Sequence, residues 1–197
     1  MPSGKQFWIF DMDGTLTHAV HDFARIRSEL GLPEDSAILE AIHTAEAGEK
    51  ERMLLRLHEI EMDLADQAQP AAGIHEFLTL LAEQGQEMAI LTRNQIDIAI
   101  RTLAKAGLAD FFRPSTIVDR EMAPPKPDPA GIQMHLDRTG FSADQTLMVG
   151  DYLYDLKAGR AAGCRTIYMD PHEEFPFRQW ADFCARDFVQ LMDELSI

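Results

Sequence analysis

The chain has 197 residues, 46% of them hydrophobic and 26% charged, enough apolar material for a packed core and too much for a disordered chain. Lys and Arg number 18 against 33 Asp and Glu, a formal charge of −15. A surface that acidic repels phosphate backbones and anionic headgroups, which sets nucleic acid and membrane surfaces aside as expected partners.

The first structured run, Phe7-Trp-Ile-Phe10, is short, apolar and bounded by Asp11-Met-Asp-Gly14, the pattern of a buried strand ending in a turn. Residues 17–72 then contain no strand-like run. Their apolar spacing is helical instead: Phe23, Ile26 and Leu30 before Gly31-Leu-Pro33, then Ile38, Leu39 and Ile42, then Met53, Leu54, Leu57, Ile60 and Leu64. The charged stretch 46–63 reads as a solvated helix face laced with i,i+4 pairs. An ordinary connection between a strand and its helix takes roughly 2–6 residues, so 17–72 is expected to be a helical insertion.

Beyond it, strands and helices alternate. Ile74, Phe77, Leu78 and Leu81 predict a helix stopped by Gly85, and Met88-Ala-Ile-Leu91 a strand ending at Thr92. Ile96, Ile100, Leu103 and Ala104 predict the next helix, and Ser115-Thr-Ile-Val118 a weaker strand. After the proline-rich Ala123-Pro-Pro-Lys-Pro-Asp-Pro129 come a helix through Ile132 and Leu136, the strand Thr146-Leu-Met-Val149, a helix over 153–163 and the strand Arg165-Thr-Ile-Tyr-Met169. This rhythm predicts an α/β fold, a parallel sheet covered on both faces. The expected organisation is an α/β core of residues 1–16 and 73–197 with a small helical cap, 17–72. The N-terminal apolar run is too short for a secretory signal, and no stretch approaches the roughly 20 apolar residues of a membrane span, so the cytoplasm is the expected compartment. Cys164 and Cys184 form no CxxC pair and read as structural thiols, and none of the 7 histidines sits in a zinc pattern.

Ligands of open α/β sheets bind beyond the carboxyl ends of the strands. There this sequence places Asp11 and Asp13, then Thr92-Arg93-Asn94, Lys126, and Asp151 with Asp155. Any one of these alone reads as a turn or helix-capping residue, and the proline-rich segment alone as a stiff connector. Together they are chemistry. Clustered carboxylates call for a cation, and hard oxygen ligands suit Mg²⁺, which takes one or two carboxylates plus substrate phosphate. A lysine and a threonine hydroxyl are what a phosphoryl group needs for neutralisation and hydrogen bonding.

Asp11-Met-Asp-Gly-Thr-Leu16 resembles the DxDGT signature of the haloacid dehalogenase superfamily. Leu91-Thr-Arg-Asn94 resembles its second motif, Lys126 its third, and Gly150-Asp-Tyr-Leu-Tyr-Asp155 its GDxxxD fourth. The insertion resembles the cap of the phosphoglycolate phosphatase-like subgroup. The resemblance implies a Rossmann-like core and a Mg²⁺-dependent phosphatase acting on a small phosphorylated metabolite, a phosphoglycolate-like compound among the candidates. Asp11 would be the nucleophile, forming an aspartyl-phosphate, and Asp13 the general acid and base. Thr92 and Lys126 would hold the phosphoryl oxygens. Asp11, Asp151 and the backbone carbonyl of Asp13 would hold the metal, with Asp155 in support. Arg93, Asn94, His18, at the departure to the cap, and Arg25 or Arg27, on its first helix, are the candidate substrate contacts, and a monomer or homodimer is expected. A phosphomutase of the β-phosphoglucomutase kind shares all four motifs. A dehalogenase needs no acid at Asp13, and a non-enzymatic receiver-like module has neither the late GDxxxD nor a large cap.

Overall fold

The computed structural model describes residues 4–19 and 22–195. The strands are β1 (Phe7–Phe10), β2 (Glu87–Leu91), β3 (Ile117–Val118), β4 (Thr146–Gly150), β5 (Arg165–Met169) and β6 (Phe183–Ala185). The helices are α1 (Phe23–Leu30), α2 (Ile38–Thr44), α3 (Ala47–Ala65), α4 (Ile74–Glu83), α5 (Ile96–Lys105), α6 (Ala130–Thr139), α7 (Leu153–Ala161) and α8 (Phe188–Leu195). All strands run parallel in one sheet of order β3-β2-β1-β4-β5-β6. The expected α/β architecture is present.

The apolar β1 sits centrally because it can be covered from both sides. Its period-two alternation sends Trp8 and Phe10 to one face, against Phe77 of α4 and Phe188 of α8. Phe7 and Ile9 go to the other, against Ile132 and Leu136 of α6 and Ala158 of α7. Each such large side chain, fully buried, contributes roughly 1.5–3 kcal/mol, so a four-residue strand fixes the middle of the sheet. His135 lies in the second layer, its Nε2 2.9 Å from the carbonyl oxygen of Ile90, and burial pulls its pKa down. It is a satisfied core histidine.

Three details depart from the sequence expectation. Ser115 and Thr116 belong to a 3₁₀ turn, Pro114–Thr116, so β3 is only two residues long. Both β6 and α8 were unexpected: Phe183–Ala185 is too short to show a period, yet it completes the sheet edge beside β5. Glu61, within the stretch read as a solvated face, is buried and pairs with Arg120 at 2.8 Å.

The segment between β1 and β2 carries α1–α3, whose Ile26, Leu30, Ile42, Met53 and Leu57 form an apolar cluster of their own. Its two crossings to the sheet run side by side: the His18 N–H donates to the Gln69 carbonyl and the Ala71 N–H to the Leu16 carbonyl, both at 3.0 Å. Side-chain pairs join these helices to the strand side at Arg93–Glu40 (3.4 Å), Arg101–Asp66 (2.5 Å) and Arg120–Glu61 (2.8 Å). No helix among the described residues is long and apolar enough to cross a membrane.

Candidate active site

Strand order assembles the site. β2, β1 and β4 are neighbours, and the residues pairing with Phe10 are Ile90 on one side and Val149 on the other. The chain therefore leaves the sheet at nearly one level in three adjacent places, delivering Thr92, Asp11 and Asp151 to the same edge. The Asp11 N–H still donates to the Val149 carbonyl at 2.8 Å, which fixes the start of the first turn. Two glycines permit the approach. Gly14, at φ 86°, has Asp151 so close that a Cβ would lie 2.2 Å from its Oδ2. At Gly150 a Cβ would lie 2.2 Å from that of Asp155. Neither position tolerates a side chain without displacing a carboxylate.

Lys126 enters from the proline-rich segment and is buried. Its Nζ pairs with Asp11 Oδ1, lies 2.7 Å from Asp155 Oδ1 and donates to the Leu91 carbonyl at 2.9 Å. Burial alone would pull its pKa down, but Asp11 and Asp155 together outweigh burial and hold the ammonium charged. Asp155 also accepts from the Tyr152 N–H at 3.0 Å, which anchors the start of α7. The Thr92 hydroxyl oxygen accepts from the Asn94 N–H at 3.1 Å, leaving its hydrogen to donate to a ligand. Asn94 Nδ2 donates to Asp13 Oδ2 at 2.6 Å. Asn94, expected to touch substrate, thus orients the second aspartate of the first motif as well as lining the cavity.

Asp11, Asp151 and Asp155 each place a carboxylate oxygen within 4.8 Å of the others. The ligand atom expected of Asp13 is its backbone carbonyl; its carboxylate accepts from Asn94, and the trio of carboxylates takes in Asp155, which the sequence placed in a supporting role. One lysine cannot neutralise three carboxylates held this close together. The imbalance registers on Asp151, pushed up to about 8 by burial and then by Asp11 and Asp155, and on Asp155, pushed up to about 6 chiefly by burial against the opposing pull of Lys126. Asp11 is likewise raised by burial, with Lys126 opposing. A hard, all-oxygen donor set with excess negative charge fits Mg²⁺.

That fit has a pH signature. Asp151 keeps its proton in the folded, metal-free protein while an unfolded aspartate, near 3.9, has lost it. This stabilising contribution is complete below about pH 4 and disappears as pH rises through about 8. Mg²⁺ held by the ionised trio would stabilise in the opposite sense. At a hundredfold excess over Kd, Mg²⁺ is expected to raise Tm at pH 8 by roughly 5–10 °C. At the same Mg²⁺ concentration the shift at pH 6 is expected to be clearly smaller, because Kd is weaker there. Thermal scans with Mg²⁺ and with chelator test this; equal shifts at both pH values would refute it.

These groups floor a cavity of about 410 Å³ whose lining includes Asp11, Asp13, Thr92, Arg93, Lys126 and Asp151. The other expected contacts divide. Arg93 lines the cavity, packs over the Tyr154 ring at 5.7 Å and reaches Glu40 of α2. Arg27 lines it too. Arg25 does not: its helix turns it to solvent, paired with Glu29 at 2.8 Å. His18 is exposed and outside the lining. The sequence reading passed over Phe23, Tyr152 and Tyr154, all in the lining. The two tyrosines occupy the variable places of Gly150-Asp-Tyr-Leu-Tyr-Asp155, and that was the available signal.

The profile described as Haloacid dehalogenase-like hydrolase matches residues 8–169, most of the chain. The protein belongs to this family. It is an enzyme, a hydrolase of the phosphatase kind that the four motifs imply. Among curated relatives, an uncharacterized hydrolase of Saccharomyces cerevisiae is 32% identical over 168 residues, covering 83% of this chain and 77% of its own. A phosphoglycolate phosphatase of Pseudomonas putida is 30% identical over 187 residues, covering 81% and 67%. In architecture the chain is similar to a hydrolase from Pseudomonas syringae, at TM-score 0.79 and 20% identity, with 98% of both chains covered. This haloacid dehalogenase-like hydrolase thus carries all four motifs at one sheet edge.

Proposed function

We propose that the protein is a Mg²⁺-dependent phosphatase that hydrolyses a small phosphomonoester through a phosphoryl group carried on Asp11, with residues 17–72 acting as a cap over the site. The observation that supports it best is the arrangement around Lys126, one buried ammonium between Asp11 and Asp155 with Asp151 beside them.

The chain's own residues divide the work. Lys126 and the Thr92 hydroxyl bind the phosphoryl oxygens and hold phosphorus in line with an Asp11 carboxylate oxygen. In the first step the Asp11 oxygen bonds to phosphorus as the ester P–O bond breaks, and protonated Asp13 gives its proton to the leaving alkoxide oxygen. In the second step Asp13, now a carboxylate, takes a proton from water whose oxygen attacks phosphorus. The bond to Asp11 breaks and inorganic phosphate departs. Asn94, donating to one Asp13 oxygen, keeps the other aimed at the reacting centre. Asp11, Asp151 and Asp155 offer the ligand oxygens for Mg²⁺, which when bound supplies positive charge against the transferring phosphoryl group and keeps Asp11 ionised. The cap excludes bulk water. Its ties to the strand side are mostly exposed ion pairs, each worth about 0–1 kcal/mol, weak enough for opening.

The test is phosphate release from a panel of small phosphomonoesters. Excess chelator is expected to lower the rate at least ~100-fold and added Mg²⁺ to restore it, because charge stabilisation of the transferring group is the main catalytic device. Full activity in chelator sinks the proposal. Transfer of the phosphoryl group to a sugar, with none appearing as inorganic phosphate, would make the enzyme a mutase instead.

A further inference from the structure

The cavity is larger and more apolar than a phosphoryl group and two carbons require. About 410 Å³ falls within the roughly 300–1,000 Å³ of pockets that enclose drug-sized ligands. From the helical side Phe23, Ile26, Ile38, Leu39 and Leu57 line it, and from the sheet side Tyr152 and Tyr154. Phe23, Tyr152 and Tyr154 remain 56%, 49% and 37% exposed, three large rings at one mouth. Exposed apolar surface gathered along a groove marks a ligand-binding site.

The rings on the sheet side are buttressed. Tyr152 meets Tyr154 edge-on at 5.1 Å and Phe177 edge-on at 5.4 Å, and Tyr168 packs behind against Phe177 at 5.8 Å and Phe175 at 5.7 Å. Phe175 takes this place at φ 45°, a conformation bulky side chains rarely adopt. The Asp170 carboxylate holds the loop there by accepting from the N–H groups of His172 (3.0 Å) and Phe175 (2.7 Å). Backbone strain of this kind persists only where surrounding structure enforces it, and it gathers at ligand sites.

Most of the exposed lining is apolar. Arg93 is already engaged by Glu40 and the Tyr154 ring, and Glu61 by Arg120. Arg27 Nε and Arg93 Nε are each buried without a hydrogen-bond partner among the described residues. A compact anion such as phosphoglycolate would leave the apolar wall wet.

We infer that the substrate's leaving group is a planar aromatic alcohol, seated between Phe23 and the Tyr152–Tyr154 pair, with Arg27 donating to a ring substituent or heteroatom. This deepens the phosphatase reading and rests on it, so the experiment separates the two. Benzyl phosphate, phosphoglycolate and acetyl phosphate are compared in Mg²⁺ by phosphate release, and benzylphosphonate against methylphosphonate by calorimetric binding. Benzyl phosphate is expected to exceed phosphoglycolate in kcat/KM by roughly tenfold, the scale of one aromatic contact, and benzylphosphonate to bind tighter by a similar factor. Phe23→Ala or Tyr154→Ala is expected to cost benzyl phosphate most of that factor through KM. Phosphoglycolate should lose clearly less, and Tyr154→Phe should restore the preference. Equal or better turnover of phosphoglycolate, or equal losses on both esters, overturns the aromatic site while leaving a phosphatase. No phosphate release even from acetyl phosphate overturns the phosphatase reading, and the two phosphonates then still decide for or against the aromatic site.

Discussion

Asp11→Asn is expected to lower kcat/KM for every phosphomonoester by at least about 10³, or roughly 4 kcal/mol of transition-state stabilisation. The amide is nearly isosteric, so the turn that leaves β1, tied by the Asp11 N–H to Val149, has no reason to move. Lys126 keeps Asp155 as a partner at 2.7 Å, so its charge stays compensated. What disappears is the anionic oxygen proposed to bond to phosphorus. The loss should therefore fall on kcat, with the folded state intact by circular dichroism and little change in Tm. Acid-quenching the native enzyme during turnover and mapping the phosphoryl adduct by mass spectrometry supplies the positive half of the test. An adduct on any other residue, or a variant within tenfold of native activity, would overturn the assignment.

How much of this was legible in the sequence depends on what carried each feature. Strands buried on both faces announce themselves as continuous apolar runs, and β1, β2, β4 and β5 did so. The three-residue β6 has no room for a period, and its place is set by pairing with Ile167, Tyr168 and Met169, a tertiary fact. Helices α1–α3 were readable because each carries an apolar stripe. Asp11, Asp13, Thr92, Lys126, Asp151 and Asp155 were readable because strand ends in a parallel sheet converge on one edge, whatever the details of packing. The partners of their side chains were not. Nothing in the spacing says that Asn94 turns to Asp13, or that Asp155 joins Asp11 and Asp151. The choice between Arg25 and Arg27 is one of helical phase, since two positions on a helix lie about 200° apart. Only the docking of α1 decides which faces the cavity. Glu61 shows the same limit, because a buried acid on a charged helix is invisible until its partner Arg120, far along the chain, is placed beside it.

Lys126→Met should injure fold and chemistry together. It removes the one ammonium paired within the site and strands three carboxylates, two of which it had contacted directly. Breaking a buried pair from one side costs about 3–5 kcal/mol, because the remaining charge stays desolvated. Here the cost should depend on pH with a definite sign. Asp11, Asp151 and Asp155 already sit above the ordinary carboxylate range, and without Lys126 they rise further. At pH 5 they can take up protons and the penalty shrinks; at pH 8 they cannot do so fully and the penalty approaches its limit. Urea unfolding of native and variant protein in chelator at both pH values measures the difference. Added Mg²⁺ should recover part of the stability at pH 8 by supplying another positive charge to the same oxygens. Turnover should not recover, since in the proposed mechanism Lys126 also binds the transferring phosphoryl group. A penalty below about 1 kcal/mol at both pH values would be that of an ordinary surface pair. It would show that the trio does not depend on Lys126. If Mg²⁺ restored turnover along with stability, Lys126 would hold the carboxylates apart without touching the substrate.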